Sequence, residues 1–161
     1  MERIVVSWAN ALLNSRRLRW IMWLLFASYT SCLLYWMFLG FGRGIHRADS
    51  FMYNVIPLRT IGHYLFHMHA FSWRTWVINM FGNIGVFMPY GVCLPFLFRR
   101  ATAYGTFILM FGCPLVALEI LQMLLHVGTF DVDDILLNGL GASVAYALFM
   151  AVKRKIVAAI S

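Results

Sequence analysis

Polar side chains stand at helical spacing inside apolar stretches of this 161-residue chain. They form three pairs: Asn79 with Asn83, Glu119 with Gln122, and Asp134 with Asn138. Residues three or four apart share one side of a helix, so each pair would point its carboxylate or amide groups in one direction. Such groups are costly in lipid and therefore face partners or water, where they can bind a polar group or move a proton.

The three pairs would also lie at one depth in a membrane. The first and third pairs open helices that enter from one side, and the second pair closes a helix that leaves toward that same side, with His126 one turn further on. A helix rises about 1.5 Å per residue, so all six side chains would lie within about 10 Å of that surface. We therefore expect a polar pocket between three helices, open to this surface.

An acidic segment adds further candidates. Asp131 and Asp134 could cap the helix that follows them, because helix N-termini favour carboxylates, or could gather a divalent cation together with Asp133. Arg59 is the predicted counter-charge of Glu119, with a contact to a lipid phosphate as the alternative.

Glu119 and Asp134 are the candidates for a catalytic residue. The predicted ligand-binding set is Arg59, Asn79, Asn83, Glu119, Gln122, Asp131, Asp133, Asp134 and Asn138. The sequence contains no complete metal-ligand spacing and no cofactor motif, so neither a metal nor a cofactor is predicted.

The composition indicates which kind of secondary structure positions these residues. Hydrophobic residues make up 62% of the chain and charged residues 12%, against about 25% charged in soluble domains. A chain this short cannot bury so much apolar surface in its own core. We predict an all-α membrane protein with a single domain over 1–161 and four transmembrane helices, at about 20–41, 76–98, 103–125 and 135–152, since about 20 apolar residues span the hydrocarbon.

The basic residues predict the orientation. Nine of the 13 fall on one side of the membrane: Arg3, Arg16, Arg17, Arg19, Arg99, Arg100, Lys153, Arg154 and Lys155. The other four, Arg43, Arg47, Arg59 and Arg74, fall on the opposite side. Because cytoplasmic loops carry the basic excess, both termini are predicted to be cytoplasmic. The positive charge is explained by orientation, so no nucleic-acid partner is predicted.

One long outer loop separates the first two spans. It covers residues 42–75, with Gly42, Gly44 and Pro57 as helix breakers, and a short interfacial helix is expected over 61–71.

Four motifs in order carry a resemblance to a known family. They are Asn54-Val55-Ile56-Pro57-Leu58-Arg59-Thr60, Asn79-x-x-x-Asn83-Ile84-x-x-Phe87-x-Pro89-x-Gly91, Glu119-x-x-Gln122, and Phe130-Asp131-Val132-Asp133-Asp134-x-x-x-Asn138-x-x-Gly141. From the first span onward the chain resembles the VanZ-like membrane proteins. Many members carry Gly-Arg before the acidic run, where this chain has Gly128-Thr129. We therefore do not assign an anion-binding role to that loop of this chain.

The resemblance implies a multi-pass protein of the bacterial plasma membrane. It also implies an association with low-level resistance to teicoplanin, a glycopeptide antibiotic with a lipid tail, and it implies no particular reaction. Residues 61–72 match none of the family's motifs.

Three function classes remain open from the sequence. The first is a binding protein whose outer pocket takes a membrane lipid or a lipid-linked or lipid-tailed envelope molecule. The alternative is an outer-leaflet enzyme that modifies an envelope lipid or lipid-linked glycan, although no nucleophile motif or phosphate-binding loop is present. A transporter would need a homo-oligomer, because four spans are few and no inverted repeat is evident.

Overall fold

The computed structural model describes residues 15–40 and 51–159. The helices are α1 (Arg16–Phe38), α2 (Arg59–Phe66), α3 (Trp73–Leu97), α4 (Tyr104–Leu124) and α5 (Val132–Ala158). Within α3, residues Ile78–Gly82 form a π-helical segment between two α-helical parts. Short 3-10 turns cover Met68–Ala70 and Arg99–Thr102. Two strands, β1 (Tyr53–Asn54) and β2 (Phe130–Asp131), pair in parallel.

The fold is all-α apart from this two-residue bridge, and the prediction of four long apolar helices is confirmed. Within the described ranges, α1, α3, α4 and α5 are long and apolar enough to cross a membrane, with 23, 25, 21 and 27 residues. At about 1.5 Å per residue the shortest spans about 32 Å, enough for a hydrocarbon layer of about 30 Å. The predicted end of the first span at Phe41, and Arg3, Gly42, Arg43, Gly44 and Arg47, lie outside the described residues.

Helices α1, α3 and α5 begin before their predicted spans and α5 also ends after its span, whereas α4 agrees with its span to within one residue at each end. Helix ends are set by caps and turns and not by hydropathy alone. α5 begins at Val132, since the Asp131 side chain accepts the N–H of Asp133, and it continues through Lys153–Lys155 to Ala158. At its start α1 includes Arg16, behind the N-cap Ser15. Pro89, Pro95 and Pro114 lie inside continuous helices.

Close packing of α3 against α5 forms the centre of the bundle. A Cβ on Gly91 would overlap the carbonyl oxygen of Ala142, and one on Gly141 would overlap that of Ile84. Both glycines therefore allow the two backbones to touch, the role that small residues have in membrane helix pairs. The aromatic core continues from this contact into α4, where the Phe107 ring stacks on Tyr146 at a centroid distance of 4.5 Å.

Helix α1 packs on the outside of this core and buries none of its residues. It is attached to α3 by the Tyr29 hydroxyl, which donates to the carbonyl of Val86 at 2.6 Å, and by a bond between Tyr90 and Thr30. One face of α1 is thus left to contact lipid, and the other lines the cavity described below.

The end of the bundle formed by residues 51–72 and 125–131 is called here the loop end. The short helix expected over 61–71 is present as α2, which begins at Arg59 and ends at Phe66, followed by the 3-10 turn Met68–Ala70; its position at the membrane interface stays a prediction. The Trp76 indole N–H of α3 donates to the carbonyl of Tyr64 in α2 at 2.9 Å. The bridge between β1 and β2 ties the start of the segment to the start of α5.

Candidate functional site

One cavity of about 840 Å³ lies at the loop end, between α1, α2, α3, α4 and α5. All of the predicted ligand-binding residues line it except Arg59 and Asp133: these are Asn79, Asn83, Glu119, Gln122, Asp131, Asp134 and Asn138. The three polar pairs thus face a common space, although they come from different helices.

Two of the pairs are connected to their surroundings by amide groups. The Asn83 amide donates to the Asp134 carboxylate at 2.5 Å, which joins α3 to α5 across the cavity wall. The Gln122 amide donates to the carbonyl of Met37 at 2.8 Å, which joins α4 to the end of α1. These two hydrogen bonds hold α3 against α5 and α4 against α1 at the level of the cavity.

The π-helical segment sets the position of Asn79. This residue lies in Ile78–Gly82, and its amide donates to the carbonyl of Thr75 at 2.8 Å. An i→i+5 turn is rare and occurs often at functional sites. The predicted regular spacing of Asn79 and Asn83 is therefore altered locally, while both side chains still line the cavity.

Glu119, Gln122 and Asn138 are the most buried of the described polar residues that line the cavity. They are 5%, 5% and 2% exposed. The Asn138 Oδ1 atom is buried without a hydrogen-bond donor in the described part of the chain. A buried acceptor without a donor is unfavourable by about 1–3 kcal/mol.

Asp131 caps α5 and also binds the outer segment. Its carboxylate accepts the N–H of Asp133 at 2.9 Å, the Thr60 hydroxyl at 2.6 Å and the Asn54 amide at 3.0 Å. The sequence left open whether this residue caps a helix or lines a pocket, and in the structure it does both.

Asp133 lies outside the cavity and is completely buried. Its carboxylate accepts the backbone N–H groups of Leu58, Thr60 and Ile61 at 2.6, 2.7 and 3.0 Å. These N–H groups are at the start of α2, whose N-cap Leu58 has a positive φ of 64° and no side-chain cap of its own. Asp133 therefore supplies the missing cap of α2 from the first turn of α5.

Arg59 does not line the cavity. It is the first residue of α2, its side chain is exposed, and the adjacent backbone is held by Asp133. The acidic cavity residues therefore do not meet the counter-charge that the sequence suggested. The position of Arg59 outside the cavity remains consistent with the predicted alternative, a contact with a lipid phosphate.

Several lining residues were not among the predicted ones. The first group is Tyr29, Cys32 and Trp36 on α1, which form an apolar and aromatic wall. Thr60 and Tyr64 on α2 form the second group, one turn apart. Burial raises the pKa of the Tyr64 phenol, and the carboxylates of Asp134 and Asp131 raise it further. The Tyr64 hydroxyl thus stays protonated at neutral pH.

The described acidic residues do not form a metal centre. Across residues 15–40 and 51–159, no group of three or more His, Cys, Asp or Glu side chains could hold a metal ion. The carboxylates of Asp131 and Asp133 accept hydrogen bonds from the protein, as described above. The suggestion that Asp131, Asp133 and Asp134 gather a cation therefore has no geometric support here.

Comparison with known proteins shows which family this chain belongs to. The family model described as VanZ/LLP1 matches residues 26–154, a range that contains every predicted site residue. This chain is therefore a member of the VanZ/LLP1 family and a multi-pass membrane protein by its four apolar helices. No match was found among curated proteins or among solved structures.

Proposed function

We propose that this protein binds the polar head of a lipid-linked or lipid-tailed envelope molecule in the cavity at the loop end. The observation that carries the proposal is the division of the cavity into two kinds of wall. Carboxylates and amides of α3, α4 and α5 stand on one side, and aromatic and apolar residues of α1 stand on the other. Such a cavity matches a molecule with a polar head and an apolar chain.

The tail of the bound molecule leaves between α1 and α3. Trp36 and Ile78 line the cavity and are also 45% and 50% exposed. Closer to the centre of the bundle, the bond from Tyr29 to Val86 joins the two helices. A chain that enters above this bond would pass directly from the cavity into lipid.

The size of the cavity limits what it can hold. A volume of about 840 Å³ is that of a site for a drug-sized molecule, for which about 300–1,000 Å³ is usual. The cavity therefore takes one head group with the first part of its chain. A lipid-tailed glycopeptide such as teicoplanin would place only one of its parts here.

The proposed setting is the bacterial plasma membrane, with both termini in the cytoplasm and the loop end outside. The basic residues Arg16, Arg17 and Arg19 at the start of α1, and Arg99 and Arg100 in the turn before α4, support this orientation. The cavity would then open to the outer leaflet, where envelope molecules with lipid anchors are found.

The test compares teicoplanin with a glycopeptide that has no lipid tail, in cells with and without the protein. Expression should reduce susceptibility to teicoplanin and leave susceptibility to the tail-free compound unchanged. Glu119→Ala and Asn83→Ala should abolish the protection and also the binding of teicoplanin to the purified protein in lipid nanodiscs. Leu109→Ala, on the exposed side of α4 (64% exposed), is the matched control and should behave as the parent.

Full protection and full binding by both cavity variants, at membrane levels equal to the parent, would contradict the proposal. Protection that extends equally to the tail-free compound would show that the apolar wall has no part in recognition.

A further inference from the structure

A second groove lies on α1 at the end of the bundle opposite the loop end. It has a volume of about 650 Å³, and its described lining residues are Arg16, Arg19, Trp20, Trp23, Leu24 and Ala27. Their spacing of three or four residues places them on one face of the helix. The groove shares no described lining residue with the cavity at the loop end, so it is a separate feature of the molecule.

The polarity of this groove changes along α1 in the same order as that of a phospholipid. The two guanidinium groups come first, the two indole rings follow, and the leucine and the alanine come last. From Arg16 to Ala27 the helix rises about 16 Å, close to half the thickness of a hydrocarbon layer. Indole rings favour the boundary between head groups and acyl chains. The groove therefore fits a phosphate, the ester region below it and the first part of an acyl chain.

Arg19 and Trp23 of the groove are positioned by the end of α3. One N–H of the Arg19 guanidinium donates to the carbonyl of Leu97 at 3.3 Å. The Trp23 ring meets the Phe98 ring edge to face, at a centroid distance of 5.3 Å. A guanidinium has five N–H donors, and the described part of the chain uses one of them here. The remaining donors of Arg19 can form the pair of parallel bonds with which a guanidinium binds a phosphate.

The charges at the two ends of the bundle are complementary to different ligands. The end that holds the groove carries eight described basic residues: Arg16, Arg17, Arg19, Arg99, Arg100, Lys153, Arg154 and Lys155. The four acidic residues of the described ranges lie in or beside the cavity at the loop end. The first of them along the chain, Glu119, is 15 residues beyond Tyr104 in α4, a rise of about 22 Å. A phosphate in the groove thus meets positive charge and is far from these carboxylates.

We propose that this groove binds an anionic phospholipid, with the phosphate at Arg16 and Arg19 and one acyl chain along the indole rings toward Leu24. Basic residues at the cytoplasmic end of membrane helices attract anionic head groups. In the predicted orientation the bound lipid belongs to the cytoplasmic leaflet. The site is therefore distinct from the outer-leaflet site proposed above, and it does not depend on that proposal.

Native mass spectrometry of the purified full chain tests the head-group preference. The protein is released from detergent with phosphatidylglycerol or with phosphatidylcholine of the same acyl chains, and the dissociation constant of the first bound lipid is measured. Phosphatidylglycerol should bind at least about tenfold more tightly, because its head group has a net negative charge and that of phosphatidylcholine has none. The double variant Arg16→Gln with Arg19→Gln should reduce this preference to within about twofold. Its binding of phosphatidylcholine should persist, which shows that the variant is folded.

A second double variant is the matched control. Arg17→Gln with Arg154→Gln removes the same charge from the same end of the bundle, at exposed positions outside the groove. It should keep the preference for phosphatidylglycerol within about twofold of the parent.

Photolabelling of the parent protein locates the acyl chain. A phosphatidylglycerol with a diazirine in one acyl chain is added to nanodiscs, and labelled residues are identified by peptide mass spectrometry. Leu24 and Ala27 in the groove should be labelled more strongly than Ile21 and Leu25. These two control residues are 51% and 57% exposed on the same helix but lie outside the groove.

Four results would overturn the inference. Equal losses of preference in the two double variants would assign the effect to the overall charge of this end. Displacement of phosphatidylglycerol by inorganic phosphate would assign the two arginines to a free anion. A dimer mass that disappears in the Arg16→Gln and Arg19→Gln variant would assign the groove to a second copy of this chain. Uniform labelling of the four α1 residues in the parent would exclude a lipid held in the groove, whatever the variants show.

Discussion

Adjacent aspartates of this protein have different roles, although the sequence gives them the same character. The Asp133 side chain is buried against the backbone of α2, whereas Asp134 lines the cavity and accepts the Asn83 amide. Helical spacing could predict that Asp134 shares a side with Asn138. It could not predict the role of Asp133, because the N–H groups that this carboxylate accepts belong to residues 72 to 75 positions earlier in the chain.

A pair of matched variants tests this difference. Asp133→Asn should lower the free energy of unfolding in detergent by about 2 kcal/mol, because one oxygen that accepts N–H groups is replaced by an NH₂ donor facing them. Asp134→Asn is the comparison variant and should lower the free energy of unfolding by less, since the backbone N–H groups of α2 bond to Asp133 and Asn83 can still donate to the new amide oxygen at position 134. Equal losses of stability in the two variants would contradict the assigned roles.

The helices were predictable from the sequence to different degrees. Apolar length alone predicted the four long helices, and hydropathy located their bounds within four residues except at the end of α5, which continues six residues beyond the predicted span. The π-helical segment Ile78–Gly82 has no signature in a pattern of hydrophobic and polar residues. The placement of Thr60 and Tyr64 at the cavity also depends on a long-range contact, the cap that Asp133 provides to α2. Local periodicity carries no information on such a contact.

The close contact between α3 and α5 leads to a prediction about the stability of their packing. Gly141→Ala should destabilise the protein by about 1–3 kcal/mol, because the new Cβ would overlap the backbone of Ile84 and force the helices apart. Gly139→Ala, on the same helix with open space around its Cβ position, should be neutral or stabilising by up to about 1 kcal/mol. Both values can be measured by unfolding in mixed detergent micelles. A harmless Gly141→Ala would contradict the close approach of these helices.

For the whole molecule, the family membership and the four apolar helices describe a membrane bundle, and this bundle has a cavity with polar lining residues at its loop end. The composition predicted the class of protein, since the apolar fraction exceeds what a chain of this length can bury. The orientation in the membrane stays a prediction from basic residues. It decides whether the cavity meets molecules of the outer leaflet.

Cysteine labelling measures this orientation. In a background without Cys32, Cys93 and Cys113, Thr129→Cys at the loop end should react in intact cells with a maleimide that cannot cross the membrane. Arg100→Cys, in the turn at the other end of the bundle, should react only after the cells are permeabilised. Both positions are exposed, so differences in burial do not explain the contrast. The reverse pattern would place the cavity on the cytoplasmic side.

The most direct test is a crystal structure of the protein grown from a lipid mesophase with a lipid-tailed envelope molecule such as teicoplanin present. We expect a continuous density in the cavity, with the polar part of the molecule between Glu119 and Asn138 and its apolar chain beside Trp36. It would be contradicted by a cavity that contains water alone at saturating amphiphile, or by Glu119 and Asn83 side chains directed away from each other into lipid.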